Sequence, residues 1–132
     1  MAKGRRDYTW GVLQDSILPG KYSVNFAGYS NLDLAAYQLM VVYTYTVPDG
    51  YRLYLTGLCV SSKSPGPHTL QLFRNNDVLL TIYFSLTHAQ DFGSFGSLSF
   101  EGGEVLNITC ENAESIPACF WVEVFGVLEQ LV

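Results

Sequence analysis

Two histidines, three cysteines and twelve carboxylates are the groups from which this 132-residue chain would have to build catalysis or metal binding. His68 and His88 fall in stretches that read as loops. A cupin-type metal site needs a close histidine pair with a carboxylate on strands, and that pattern is absent. Cys59, Cys110 and Cys119 are odd in number and show no CxxC pair or histidine at zinc spacing. A free thiol in a strand-like run behaves as a small apolar residue; Cys110 and Cys119 flank a short loop and would pair only if their strands were neighbours. Glycoside hydrolysis needs two carboxylates across a cleft, but Glu104, Glu111, Glu114 and Glu123 sit at turns or on a polar face. No serine lies in a nucleophile elbow and no Cys–His arrangement is suggested. Gly93, Gly96, Gly102 and Gly103 precede no helix whose N-terminus could hold a phosphate, so they read as bulge and turn glycines. No catalytic residue, no metal ligand and no cofactor is expected, and the chain is expected not to be an enzyme; an enzyme on a cupin-like or lectin-like barrel is the least favoured reading.

Aromatic residues are abundant: nine Tyr, eight Phe and two Trp. They could stack sugars, with Tyr43, Tyr45, Tyr54 and Trp121 as candidates, but packing in a core or between subunits is their commoner use. Stacking of nucleic-acid bases would require basic residues among them. The chain has seven basic against twelve acidic residues, a net charge of −5, so no nucleic-acid partner is expected. Its one basic cluster, Lys3, Arg5 and Arg6, reads either as a solvated tail or as an arm that touches an acidic partner.

Only 14% of residues are charged and 48% are hydrophobic, against about 25% charged in an ordinary soluble domain. Surface has to be covered by neutral polar side chains or buried against other copies. The N-terminus lacks the apolar core of a signal peptide and no stretch is long enough to span a bilayer, so synthesis in the cytoplasm and no membrane partner are expected. Asn107-Ile108-Thr109 matches a glycosylation sequon and is read as an ordinary strand segment.

The elements are nearly all β. Residues 1–36, rich in Gly, Asn, Ser and Asp with isolated apolar residues, read as an extended arm carrying one or two short strands; residues 37–132 read as the folded domain. Runs at 37–47 and 51–60 flank the turn Pro48-Asp49-Gly50, where Pro fixes φ and Gly accepts a positive one. Residues 61–68, with Ser64-Pro65-Gly66-Pro67, read as loop. Segments 69–74 and 78–86 form a hairpin around Asn75-Asn76-Asp77, with Leu70, Leu72, Val78, Leu80, Ile82 and Phe84 facing one way. Residues 87–93 read as a polar loop, 94–100 as a strand broken by Gly, and 104–110 and 118–128 as the last two strands. Leu32 to Met40 offers one helical turn at most. Turn chemistry every eight to twelve residues is the grammar of a β-sandwich or barrel, here of about eight strands.

The segment Tyr45-Thr46-Val47-Pro48-Asp49-Gly50-Tyr51-Arg52-Leu53-Tyr54-Leu55 resembles small phage virion domains, in which a strand ends in a Val-Pro-x-Gly turn before an alternating strand. Ser61-Ser62, the hairpin Leu70-Gln71-Leu72 with Asn75-Asn76-Asp77, and Glu101-Gly102-Gly103-Glu104 extend the likeness over residues 37–128. It is similar to the jelly-roll class of capsid decoration (cement) and head-fibre proteins. That resemblance implies an antiparallel, jelly-roll-like β-sandwich and a virion structural protein, a homotrimer docking on a major capsid protein or other virion protein through an extended arm. The interface residues expected are Lys3, Arg5, Arg6, Tyr8, Trp10, Tyr22, Phe26 and Tyr29. The alternative is a carbohydrate-binding or host-recognition β-sandwich module, with coplanar exposed aromatics.

Overall fold

The computed structural model describes residues 22–93 and 98–131. Among them are nine strands and no helix: β1 (Tyr22–Leu34), β2 (Leu39–Thr46), β3 (Tyr51–Ser62), β4 (His68–Arg74), β5 (Asp77–Phe84), β6 (Thr87–Asp91), β7 (Ser99–Glu101), β8 (Val105–Glu111) and β9 (Ala118–Gln130). The antiparallel ladders nest. Strands β4 and β5 form the innermost pair, β3 pairs with β6 and β7, β2 pairs with β8, and β1 with β9 is outermost. Two further ladders, β3 with β9 and β4 with β8, join the pairs into sheets of order β1-β9-β3-β6 (with β7 also on β3) and β2-β8-β4-β5. One long hairpin is thus rolled so that its legs alternate between two facing sheets, which is the jelly-roll topology expected.

Alternation builds the core. On β9, Phe120, Val122 and Val124 are buried between the sheets while Trp121, Glu123 and Phe125 face out. Leu70 and Leu72 of β4 and Leu106, Ile108 and Cys110 of β8 meet them from the opposite sheet. On β3 the inward residues are Leu53 and Leu55, then Leu58 and Val60. The register shifts between Leu55 and Gly57, so one extra residue opposes β9 and the buried face is kept. Gly126 makes that bulge possible: a Cβ there would collide with the carbonyl oxygen of Tyr54.

Several elements differ from the sequence reading. Tyr22–Leu34 is a single strand paired to β9 along its whole length, so residues 22–34 of the expected 1–36 arm lie in the sandwich; residues 1–21 are outside the described residues. Its polar residues hid it, because only alternate positions face the core and Gly28 is one of those. There Gly28 leaves room for the Tyr43 hydroxyl, which a Cβ would strike. Thr87–Asp91, read as loop, is a five-residue edge strand on β3. Residues 35–38 form a turn, closed by Gln38 N–H donating to the Ala35 carbonyl at 3.1 Å, in place of a helical turn. A register shift between Leu72 and Phe73 leaves Val78 exposed, while Ile82 and Phe84 remain buried.

His68 begins β4 and is fully buried, not a loop residue. Its Nδ1 accepts from the Ala113 N–H at 3.0 Å, so Nε2 carries the proton and donates to the Ser64 carbonyl at 2.9 Å. Its ring meets Phe120 edge-on at 4.8 Å and Phe84 at 5.5 Å. Beside it, buried Asn112 donates from Nδ2 to the carbonyls of Leu34, Ala35 and Ile116 at 3.3, 3.1 and 2.9 Å, and its Oδ1 accepts from Glu114 N–H at 2.9 Å. These two polar side chains fasten the loops at one end of the sandwich.

Candidate assembly surface

Among the described residues strand β1 is the outer edge of its sheet, bonded on one side only, to β9. Natural edges of this length are guarded by charge, proline or a bulge. Between Tyr22 and Leu32 β1 has no charged residue and no proline, and its register with β9 runs unbroken over thirteen residues. The facing edge, β2, is also uncharged but is bulged between Val41 and Tyr43. Edges β6 and β7 are short and carry Asp91 and Glu101.

An aromatic patch adjoins the β1 edge on the outer face. Tyr29 is 58% exposed and Phe125 40%. Tyr29 stands opposite Glu123, so Trp121 and Phe125 lie on its two diagonals, about 7–8 Å away and within reach of large rings. Trp121 is half-buried, with the Lys63 ammonium 5.9 Å from its ring centroid. Along the same face Arg52 bonds Glu101 through two nitrogens at 2.8 and 3.2 Å and Tyr54 at 3.2 Å, and Tyr54 donates to Glu129 at 3.3 Å. The Tyr54 hydroxyl first, and then Glu101, hold the guanidinium charged well beyond its ordinary range.

Of the interface residues expected from sequence, Tyr29 lies in this patch. Phe26 does not: it turns inward and packs on Tyr45 with ring centroids 4.8 Å apart, because even-numbered positions of β1 face the opposite sheet. Lys3, Arg5, Arg6, Tyr8 and Trp10 lie outside the described residues, as does the side chain of Tyr22. Phe125 and Trp121 were not singled out for the interface; only the pairing of β9 with β1 brings them beside Tyr29. Among the sugar-stacking candidates, Tyr43 and Tyr45 pack against the core and burial raises both phenols, so neither offers an exposed platform. Tyr54 is engaged with Arg52.

Among the described residues no group of three His, Cys, Asp or Glu side chains could hold a metal ion. All three cysteines are free. Cys110 points into the core, where burial pushes its thiol up to about 12, while Cys119 is on the outer face of the other sheet and donates to Asn31 Oδ1 at 2.6 Å; the two do not pair. Among the described residues no helix is long and apolar enough to cross a membrane.

No family model and no curated protein matches the chain. Solved structures do. A Bacillus endospore appendage protein, of a family of disulfide-linked pili, aligns over 92% of this chain and 100% of its own at 12% identity, with a TM-score of 0.52. The capsid asymmetric unit of cyanophage Pam1 aligns over 96% of this chain and 98% of its own at 16% identity and TM-score 0.49. The acid-stable capsid of Helicobacter pylori bacteriophage KHP30 does so over 85% and 99% at 10% identity and TM-score 0.44. At such identities the likeness is one of fold, and the neighbours include pilus and capsid proteins.

Proposed function

We propose that the chain is a self-assembling virion structural protein, a homotrimeric capsid decoration protein whose work is done by protein–protein interfaces and not by catalysis. The observation that carries this reading is the β1 edge: thirteen residues of unbroken strand, unguarded by charge from Tyr22 to Leu32, bordered by exposed Tyr29 and Phe125. An edge of that kind pairs with another strand. The two rings expose about 100 Å² each, whose burial contributes roughly 2–3 kcal/mol apiece.

Charge distribution adds direction. Residues 1–21 hold four basic and two acidic residues, including Lys3, Arg5 and Arg6, while the remainder holds three basic and ten acidic ones. Attraction between this basic N-terminal stretch and the acidic remainder of a neighbouring subunit is favoured by that contrast. The resemblance of residues 37–128 to phage virion domains directs the reading to a particle, with a major capsid protein or other virion protein as second partner.

Light scattering after size-exclusion chromatography tests the proposal. The expected result is a trimer for the natural chain and monomers for the edge variant Ala27→Lys/Tyr29→Lys, whose positions are exposed and tolerate charge. A compact monomer at micromolar concentration that associates with no particle would overturn it.

A further inference from the structure

The outer face of the β2-β8-β4-β5 sheet differs in kind from that of the other sheet. Its register sets Val41, Thr109, Gln71 and Thr81 in one row, and Thr44, Asn107, Phe73 and Val78 in the next. None of these residues is ionisable. Toward the β4–β5 turn the face sinks into an open depression of about 180 Å³, lined by Val41, Phe73, Asn75, Asn76, Asn107 and Thr109.

The lining is held in place by the fold. Asn75 adopts φ 54° at the turn, its N–H donates to the Val105 carbonyl at 2.8 Å and its Oδ1 accepts from the Val105 N–H at 2.9 Å. That bond fixes its carboxamide and leaves the amide nitrogen to donate elsewhere. Asn76, Asn107 and Thr109 make no side-chain hydrogen bond among the described residues, whereas Gln71, next to Thr109 in its row, is already bonded to Thr81 at 3.3 Å. Three carboxamides and a hydroxyl therefore present both donors and acceptors around an aromatic ring and a valine.

Such a set discriminates by chemistry. It has no cation to neutralise a phosphate or carboxylate and no carboxylate to hold a metal ion. Amides and hydroxyls, each donor and acceptor, match ligand hydroxyls, which are both as well. Apolar C–H faces of the same ligand fit Phe73 and Val41. The volume is below the ~300–1,000 Å³ of pockets that enclose drug-sized ligands, so it suits one ring of a longer molecule. We infer that this depression binds a neutral glycan, one sugar ring seated against Phe73 and Val41 with its hydroxyls on Asn75, Asn76, Asn107 and Thr109. The site is separate from the β1 edge and does not depend on the assembly proposed above.

The test is a titration of the full ¹⁵N-labelled chain with neutral oligosaccharides (cellobiose, maltotriose, chitobiose, mannobiose), with sialyllactose as the charged comparison. Saturable amide shifts confined to the depression are expected with at least one neutral sugar, at a Kd on the order of 1 mM. Asn76→Ala, at an exposed turn where the fold is not at risk, and Asn107→Ala should each weaken binding about tenfold, a change of ~1.4 kcal/mol. The inference is overturned if no neutral sugar gives saturable shifts there, if the variants bind as the natural chain does, or if sialyllactose binds and the neutral sugars do not. Shifts at the depression that grow with protein concentration without sugar would also overturn it, by giving the surface to a second copy.

Discussion

Replacing Asn112 probes how the loops at one end of the sandwich are held. The side chain is fully buried, donates to three carbonyls and accepts one N–H. In Asn112→Ala the Glu114 N–H and the carbonyls of Leu34 and Ile116 lose this partner, while the Ala35 carbonyl keeps the Gln38 N–H. An orphaned buried polar group costs about 1–3 kcal/mol; water can reach the Glu114 and Ile116 groups but not Leu34, which is fully buried, so the lower figure applies to the first two and the total is about 3–4 kcal/mol. At roughly 3 °C per kcal/mol for a chain of this size the melting temperature should fall by ~10 °C. Asn112→Asp is the sharper variant. Its carboxylate has the same shape but turns an acceptor toward three acceptors, so at neutral pH it should cost more than alanine does. Protonation restores one donor, so its folded-state pKa is raised above the ~3.9 of an unfolded aspartate. The deficit relative to Asn should therefore shrink as pH falls toward 4. Urea unfolding followed by tryptophan fluorescence, at pH 7 and pH 4.5, reads both effects. An alanine cost below about 1 kcal/mol, or an aspartate no worse than alanine at pH 7, would refute the network as a source of stability.

Other perturbations separate further parts of the fold. Gly126→Ala places a Cβ against the Tyr54 carbonyl in the middle of a sheet, whereas Gly28→Ala meets only the end of the Tyr43 side chain, which can swing; chemical denaturation should give about 3 kcal/mol or more for the first and ~1 kcal/mol or less for the second. With a thiol reagent, Cys59 and Cys119, both half-exposed, should label in the native protein and Cys110 only after denaturant, as mass spectrometry will count. Cys119 should react more slowly than an unstructured thiol, since its desolvation and then Asp33 raise its pKa against the opposing pull of Lys63. Cys110, pushed up to about 12 by burial, keeps its proton when the unfolded thiol has lost it near ~8.5. Its contribution to stability is therefore whole below about pH 8 and lost as pH rises toward 12; thermal melts from pH 7 to 11 should show a decline that Cys110→Ala flattens, the remainder coming from Tyr43, Tyr45 and Cys119, whose pKa values are also raised.

How much of this was legible in the sequence follows from which face each residue uses. Strands β3 and β9 were readable because a full period-two pattern of large apolar residues is interrupted only at a glycine bulge. Edge strands are harder. Thr87–Asp91 has no large apolar residue to betray it, and β1 spends inward positions on Gly28 and Ser30. The hairpin around residues 75–77 was anticipated, but its register shift is set by backbone geometry and moved Val78 to the surface. Phe26 and Tyr29 looked alike as arm aromatics; a period of two sends one to the core and the other to the assembly face. No local pattern announces Asn112 or the depression beside Phe73, because each is assembled from strands far apart in sequence.

The nested ladders also have a consequence in time. β1 is the first of the described strands to be synthesised, and its partner β9 is the last. During synthesis β1 must wait, unpaired, while some eighty residues of intervening strands emerge at about 5–20 residues per second. Contacts of such long sequence separation form slowly. Throughout that interval a nearby copy can offer its own β9 to the waiting strand, giving an exchanged dimer instead of a closed monomer. Expression rate and local chain concentration should thus decide how many molecules mature with their own first strand, a choice made before any finished surface exists to be recognised.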